Sequence, residues 1–153
     1  MGKRYPGGAG EYHEVIRRYN TVLAALLEEN DCAAIYLVTV AYGENDGAAG
    51  TEPIHVGLHP GAARWLRAVD PDDPEFGYDL HVSRGQVTPG SLDGLLRYVA
   101  EDQTSGVIVT DVALRWLFHP YDGGMDVIAP SVRERDRLAA RFHTWLSDRP
   151  DGL

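Results

Sequence analysis

With 153 residues, the chain has the size of one ordinary domain and can bury roughly 70% of its unfolded surface without disulfides or a structural metal. Hydrophobic residues at 44% and charged residues at 24% lie near the globular average and exclude wholesale disorder. The balance of 14 Lys and Arg against 23 Asp and Glu, a net charge of −9, works against phosphate backbones and anionic membranes and favours encounter with basic partners.

Residues 1–10 are rich in glycine and are expected to form a flexible N-terminus ahead of a single domain over 11–153. Lys3 and Arg4 are not followed by an apolar run, so no secretory signal is expected. No stretch approaches the roughly 20 apolar residues that cross a bilayer. Cys32 is the only cysteine, which rules out an internal disulfide and suits a reducing compartment. The expected location is the cytoplasm.

From Glu11 the pattern turns helical, with Tyr12, Val15, Tyr19, Val22, Leu23, Leu26 and Leu27 in one apolar stripe that ends near Asn30 and Asp31. Residues 33–42, apolar on both faces and rich in β-branched and aromatic side chains, predict a central strand. A loop over 43–50 leads to a short strand marked by Ile54, Val56 and Leu58. Pro60 suits a first helical position, and Ala62, Trp65, Leu66 and Val69 then predict a helix limited by Pro71. After an acidic turn, residues 76–83 alternate cleanly, with Phe76, Tyr78, Leu80 and Val82 on one side and Gly77, Asp79, His81 and Ser83 on the other.

Thr88–Pro89 opens a helix through Leu92, Leu95, Leu96 and Val99, and 106–111 predicts another strand. Residues 112–119 keep period two, compatible with either a tight turn near Asp111 or a continuous bent strand. Asp122-Gly123-Gly124 is a hairpin signal, since glycine accepts the positive φ that hairpin turns favour, and 125–129 forms the return. Ser131 with Glu134 is a capping box ahead of a helix that buries Leu138, Ala139, Phe142, Trp145 and Leu146 and closes at Pro150. The sum is an α+β fold, a mostly antiparallel sheet packed by about four helices.

Few residues carry recognisable chemistry. His55 and His59 lie four apart on a segment expected to be a strand, where that spacing does not share a face, and a zinc site needs about three converging protein ligands. The acidic run Asp70, Asp72, Asp73 and Glu75 lacks the glycine and the bidentate glutamate of a calcium loop. Cys32 reads as a small buried hydrophobe and Ser91 as a residue at a helix start. No metal and no cofactor is expected.

Residues 115–129, RWLFHPYDGGMDVIA, hold the densest polar cluster: His119, Tyr121, Asp122 and Asp126. Side chains at 119 and 121 point to the same side of a strand, and a carboxylate beside His119 would make a general acid–base pair. The competing reading is structural, with Asp122 accepting turn N–H groups and Tyr121 bonded to an aspartate. All four are candidate binding residues, and His119, Asp122 and Asp126 are the catalytic alternative.

The segment FHPYDGGMDVIA, followed by FHTWLSDRPDG, resembles the C-terminal signature of a bacterial family of domains of unknown function. Members are similar in layout: an N-terminal helix with an Arg-Tyr-Asn segment, here Arg18-Tyr19-Asn20, then a strand, and finally a Phe-His-x-Tyr-Asp hairpin before a Trp-containing last helix. The family's commoner turn, Asp-Asp-Arg-Gly, is one residue longer than Asp122-Gly123-Gly124 and carries an arginine that is missing here. The resemblance implies the fold layout and no activity.

The functional expectation is a non-enzymatic acidic binding protein, of the immunity type that neutralises a basic toxin. Its partner would be a protein, not nucleic acid and not a membrane. Two alternatives stand beside it: a small hydrolase using His119 with Asp122 or Asp126, and a structural or regulatory subunit.

Overall fold

The computed structural model describes residues 9–44, 56–69, 71–73, 75–88 and 90–146. The stretch expected to be flexible, 1–10, lies outside the described residues up to residue 8, as do most of the 43–50 loop, Ile54 and His55 of the expected 53–58 strand, and the stop at Pro150. The N-terminal stripe forms α1, Ala9–Glu29, and its apolar side chains Val15, Tyr19, Val22, Leu23 and Leu26 are all buried. Six strands follow: β1 (Ile35–Glu44), β2 (Ala63–Val69), β3 (Phe76–Gly85), β4 (Ile108–Asp111), β5 (Leu117–Tyr121) and β6 (Gly124–Ile128). They form one sheet in the order β2-β3-β1-β4-β5-β6, and every pairing is antiparallel. Two further helices, α2 (Asp93–Ala100) and α3 (Val132–Arg141), bring the α-helices among the described residues to three, not about four.

The missing helix is β2. Ala62, Trp65, Leu66 and Val69 have helical spacing because a bulge between Arg64 and Leu66 breaks the period of two. Trp65 is the extra residue, so Leu66 and Ala68 pair with Leu80 and Tyr78, while Arg67 pairs with Asp79. Pro60 lies in a turn closed by Ala62 N–H on His59 O at 3.2 Å, with Gly61 at φ 76°. Val56–Leu58, expected in a strand, is a single 3-10 turn. As an edge strand, β2 carries a bulge and two arginines, features that blunt edge-to-edge pairing.

The ambiguity at 112–119 resolves as a turn. β4 ends at Asp111, whose Oδ1 accepts Arg115 N–H at 2.6 Å and whose Oδ2 accepts Arg115 Nε at 2.6 Å. Leu114 takes a φ of 54°, and its N–H reaches Asp111 O at 3.0 Å. The capping box forms with one change of partner. Glu134 N–H donates to Ser131 Oγ at 3.3 Å, but the Ser131 hydroxyl itself donates to Glu134 Oε2 at 2.7 Å. The last helix is shorter than expected, since after Arg141 the chain tightens into a 3-10 turn over His143–Trp145.

The core lies between the helices and one face of the sheet. Ile35 and Leu37 of β1, Val109 of β4 and Phe118 of β5 join Tyr19, Leu23, Leu26, Leu95, Leu96 and Val99 in one cluster. Trp116 fills it and is fully buried, with its Nε1 unpaired. Each such side chain contributes about 1.5–3 kcal/mol of burial. The opposite face of the sheet gives no residue to this cluster.

Candidate functional site

Strand register assigns each side chain to a face. On the face away from the helices, one row crosses five strands: Arg84, Tyr36, Thr110, Leu117 and Ile128. The next row holds Val82, Val38 and Ile108, a third Leu66, Leu80 and Val40, and a fourth Ala68, Tyr78 and Tyr42. Among the described residues no helix covers this face, and it is largely apolar, with Val40 and Thr110 buried, Val40 against Gly106, and other side chains well exposed. Tyr42 is 55% exposed, Leu66 47% and Ile128 61%. Tyr42 stacks on Phe76 with centroids 6.1 Å apart and leans on Tyr78 at 6.2 Å. Beside this aromatic group lies the turn carrying Asp72, Asp73 and Glu75, all exposed.

The alternation expected in β3 is present, but its orientation is unexpected. The apolar set Phe76, Tyr78, Leu80 and Val82 looks out on the open face. The polar set Asp79, His81 and Ser83 shares the helix side with Thr39. Polar partners there make that arrangement tolerable. His59, 1% exposed, sits between two hydroxyls: its Nδ1 is 2.8 Å from Thr39 Oγ1 and its Nε2 is 2.8 Å from Ser83 Oγ. Arg67 Nη1 donates to Asp79 Oδ2 at 3.1 Å, and Arg64 approaches Asp79 Oδ1 at 4.0 Å. The order Ser–His–Thr resembles an activated serine, yet Thr39 is completely buried and uncharged and offers an imidazolium no compensating carboxylate. The arrangement therefore bolts residues 56–62 to the sheet, with His59 buried there and no helix starting at Pro60.

The four sequence candidates lie on the β5–β6 hairpin. His119, Tyr121 and Asp126 all project from the open face, with His119 directly opposite Asp126 in the register. Tyr121, not His119, reaches that aspartate: its hydroxyl donates to Asp126 Oδ1 at 3.4 Å, and its ring lies 6.0 Å from that of His119. Asp122 occupies the two-residue turn, and no hydrogen bond from its carboxylate occurs among the described residues. Neither Gly123 nor Gly124 takes the positive φ expected of a hairpin glycine. Gly124 instead gives the Tyr121 ring close approach, since a Cβ there would stand 3.3 Å from its hydroxyl. None of the four lines the cavity between α1, β6 and α3 or the one beside α1 and the start of α2.

The Arg-Tyr-Asn segment meets this hairpin from the other side. Tyr19 donates its hydroxyl to Tyr121 O at 2.6 Å and sets its ring edge-on to Phe118. Asn20 Nδ2 bonds Asp93 Oδ1 at 2.7 Å, which ties α1 to the start of α2. The Arg18 guanidinium stands 5.2 Å from the Trp145 ring centroid. Three neighbouring residues thus anchor the hairpin, α2 and the end of the chain's last helical segment.

Ionisation follows these contacts. Burial alone pushes the Asp111 carboxyl up, but hydrogen bonds from the Arg115 guanidinium and backbone outweigh it and hold the group below its ordinary value. Hydrogen bonds from Arg17 and Arg18 lower Glu14 to about 2. Burial raises the Cys32 thiol, whose Sγ–H donates to Ala34 O at 3.0 Å, so it is a poor nucleophile. Among the described residues no three His, Cys, Asp or Glu side chains converge on a metal position. No helix among them is long and apolar enough to cross a membrane.

Sequence reasoning missed the open face, although β1 gave a signal: a strand apolar on both sides needs cover on both, and the helices supply only one. No curated protein and no solved structure matches the chain. One family model does, over residues 1–150, and the chain belongs to that family, Domain of unknown function (DUF3885).

Proposed function

We propose that this is a non-enzymatic acidic binding protein, and that it holds a basic protein on the open face of its sheet. The observation that carries the reading is that face, apolar over most of its rows and left without a helix among the described residues, with Tyr42, Leu66 and Ile128 substantially exposed. Six strands at about 4.8 Å spacing span about 24 Å, and the ten-residue strands β1 and β3 run about 33 Å, a footprint of the order of an ordinary interface at about 800 Å² per partner. A net charge of −9 disfavours a second copy of the same chain and favours a cationic partner. Tyr42, Phe76 and Tyr78 beside Asp72, Asp73 and Glu75 suit arginine side chains, which stack on rings and pair with carboxylates. His119, Tyr121, Asp122 and Asp126 extend the same surface towards its β6 edge.

The biological form of this reading is a bacterial, cytoplasmic, immunity-type protein that occludes a basic toxin. The test is affinity isolation of the tagged full chain from source cells at physiological salt, identification of what co-purifies, and an assay of that partner's toxicity with and without the chain. A stoichiometric basic protein that is neutralised supports the proposal. A hydrolytic activity of the chain itself, lost in His119→Ala, contradicts it.

A further inference from the structure

On the opposite side of the sheet from the open face, α1, β6 and α3 leave a cavity of about 210 Å³. Val22 and Val127 form its floor, and Leu138, Phe142 and Trp145 its walls. Among the described residues, Arg135 is the single charged group lining it, and its side chain is 64% exposed and so lies at the solvent end. We infer that this cavity is a binding site for a small apolar carboxylate, an acid whose tail of roughly six to eight carbons fills the pocket while its carboxylate pairs with Arg135.

Size, polarity and charge each support that ligand class. Apolar cavities of about 150 Å³ accept benzene, and at roughly 30 Å³ per water-sized unit this one holds about seven such units. Its lining offers hydrocarbon and two stacked rings, Phe142 and Trp145, with centroids 5.1 Å apart. Around those rings the local charge opposes that of the molecule. Arg17 and Arg18, which share Glu14, stand 5.4 and 5.2 Å from the Trp145 centroid, and Arg141, which shares Glu29 with Arg137, stands 5.3 Å from that of Phe142, so the arginines outnumber the carboxylates they pair with. Over its ten residues α3 carries Arg133, Arg135, Arg137 and Arg141 against Glu134 and Asp136. In a chain of net charge −9, this arginine-rich rim selects an anion over a cation. Arg135 Nε and Nη2 now contact Asp136 Oδ1 at 3.0 and 2.7 Å, but that pair is solvent-exposed and worth little, so a ligand carboxylate can replace it. The inference is independent of the partner proposed for the open face.

The test is titration of the full chain with octanoate, 1-octanol and octylamine, followed by calorimetry and by nuclear Overhauser contacts from ligand methylenes. Octanoate is expected to bind at least ten-fold more tightly than octylamine and to show contacts to Val127 and to the Trp145 indole. Arg135→Gln is expected to weaken octanoate about ten-fold and leave octanol unchanged, and Ala139→Phe to abolish binding of all three. Equal affinity for octanoate and octylamine, octanoate binding unmoved by Arg135→Gln, contacts elsewhere, or no binding at millimolar octanoate would each overturn the inference. The wild-type contacts decide the matter even if Ala139→Phe does not fold.

Discussion

The carboxylate of Asp111 closes the β4–β5 turn by accepting from both the backbone and the guanidinium of Arg115, and it is 2% exposed. Its pKa is lowered, so the sign is that of a depressed acid: the stability it contributes is complete above the unfolded carboxylate value near 3.9 and is lost as pH falls through the lower folded value. Asp111→Asn is expected to cost about 2 kcal/mol at pH 7, discounted for the half-exposed arginine, and to remove this part of the acid dependence in urea titrations at pH 7 and pH 3. Asp122 contrasts with it. An aspartate before glycine suggested a pinned turn, but its carboxylate makes no such bond, so Asp122→Ala is expected to shift stability by no more than about 0.5 kcal/mol. Tyr19→Phe should cost more, about 1 kcal/mol, by leaving Tyr121 O without its donor. Melting curves of the three variants rank these contributions, and an Asp122→Ala cost above that of Tyr19→Phe would refute the assignment.

Among the elements, legibility followed the simplicity of each local pattern. α1 and α2 were readable from apolar spacing, although α2 starts at Asp93 and not at Thr88–Pro89, β1 from its β-branched and aromatic run, and the start of α3 from Ser131 and Glu134. β2 was not, because one bulged residue, Trp65, turned a strand's period into a helix's. In β3 the alternation was legible but its direction was not: which side faces the helices depends on His59, 24 residues from Ser83 in the chain. The candidate site was legible as a hairpin and as residues sharing a face, whereas the reach of Tyr121 to Asp126 ahead of His119, with the ring lying against Gly124, was not. The segment before β4 shows a constraint that no short pattern reveals. Gly106 has φ 70°, and a Cβ there would lie 2.6 Å from Val40 Cγ2, so Gly106→Ala is expected to cost at least about 2 kcal/mol, measurable by urea unfolding.

At the scale of the molecule, one sheet separates two surfaces of different character. Its helix side holds the core, the anchored Arg-Tyr-Asn segment and the arginine-rimmed cavity, and its other side presents aromatic and aliphatic rows that no helix covers among the described residues. Composition and net charge signalled an acidic protein, but the open face became apparent only once register assigned each strand residue to a side. Tyr19, Phe118 and the Tyr121 carbonyl meet inside, and these contacts hold the hairpin and leave His119 and Asp126 directed outward. The most direct test is calorimetric titration of the purified basic partner into the wild-type chain, Tyr42→Asp, Ile128→Asp, and the helix-side control Arg97→Gln. The account expects the two open-face substitutions to weaken binding by at least about 2 kcal/mol, roughly 30-fold, with melting temperatures unchanged and Arg97→Gln binding as wild type. Affinity unmoved by Tyr42→Asp and Ile128→Asp would contradict it.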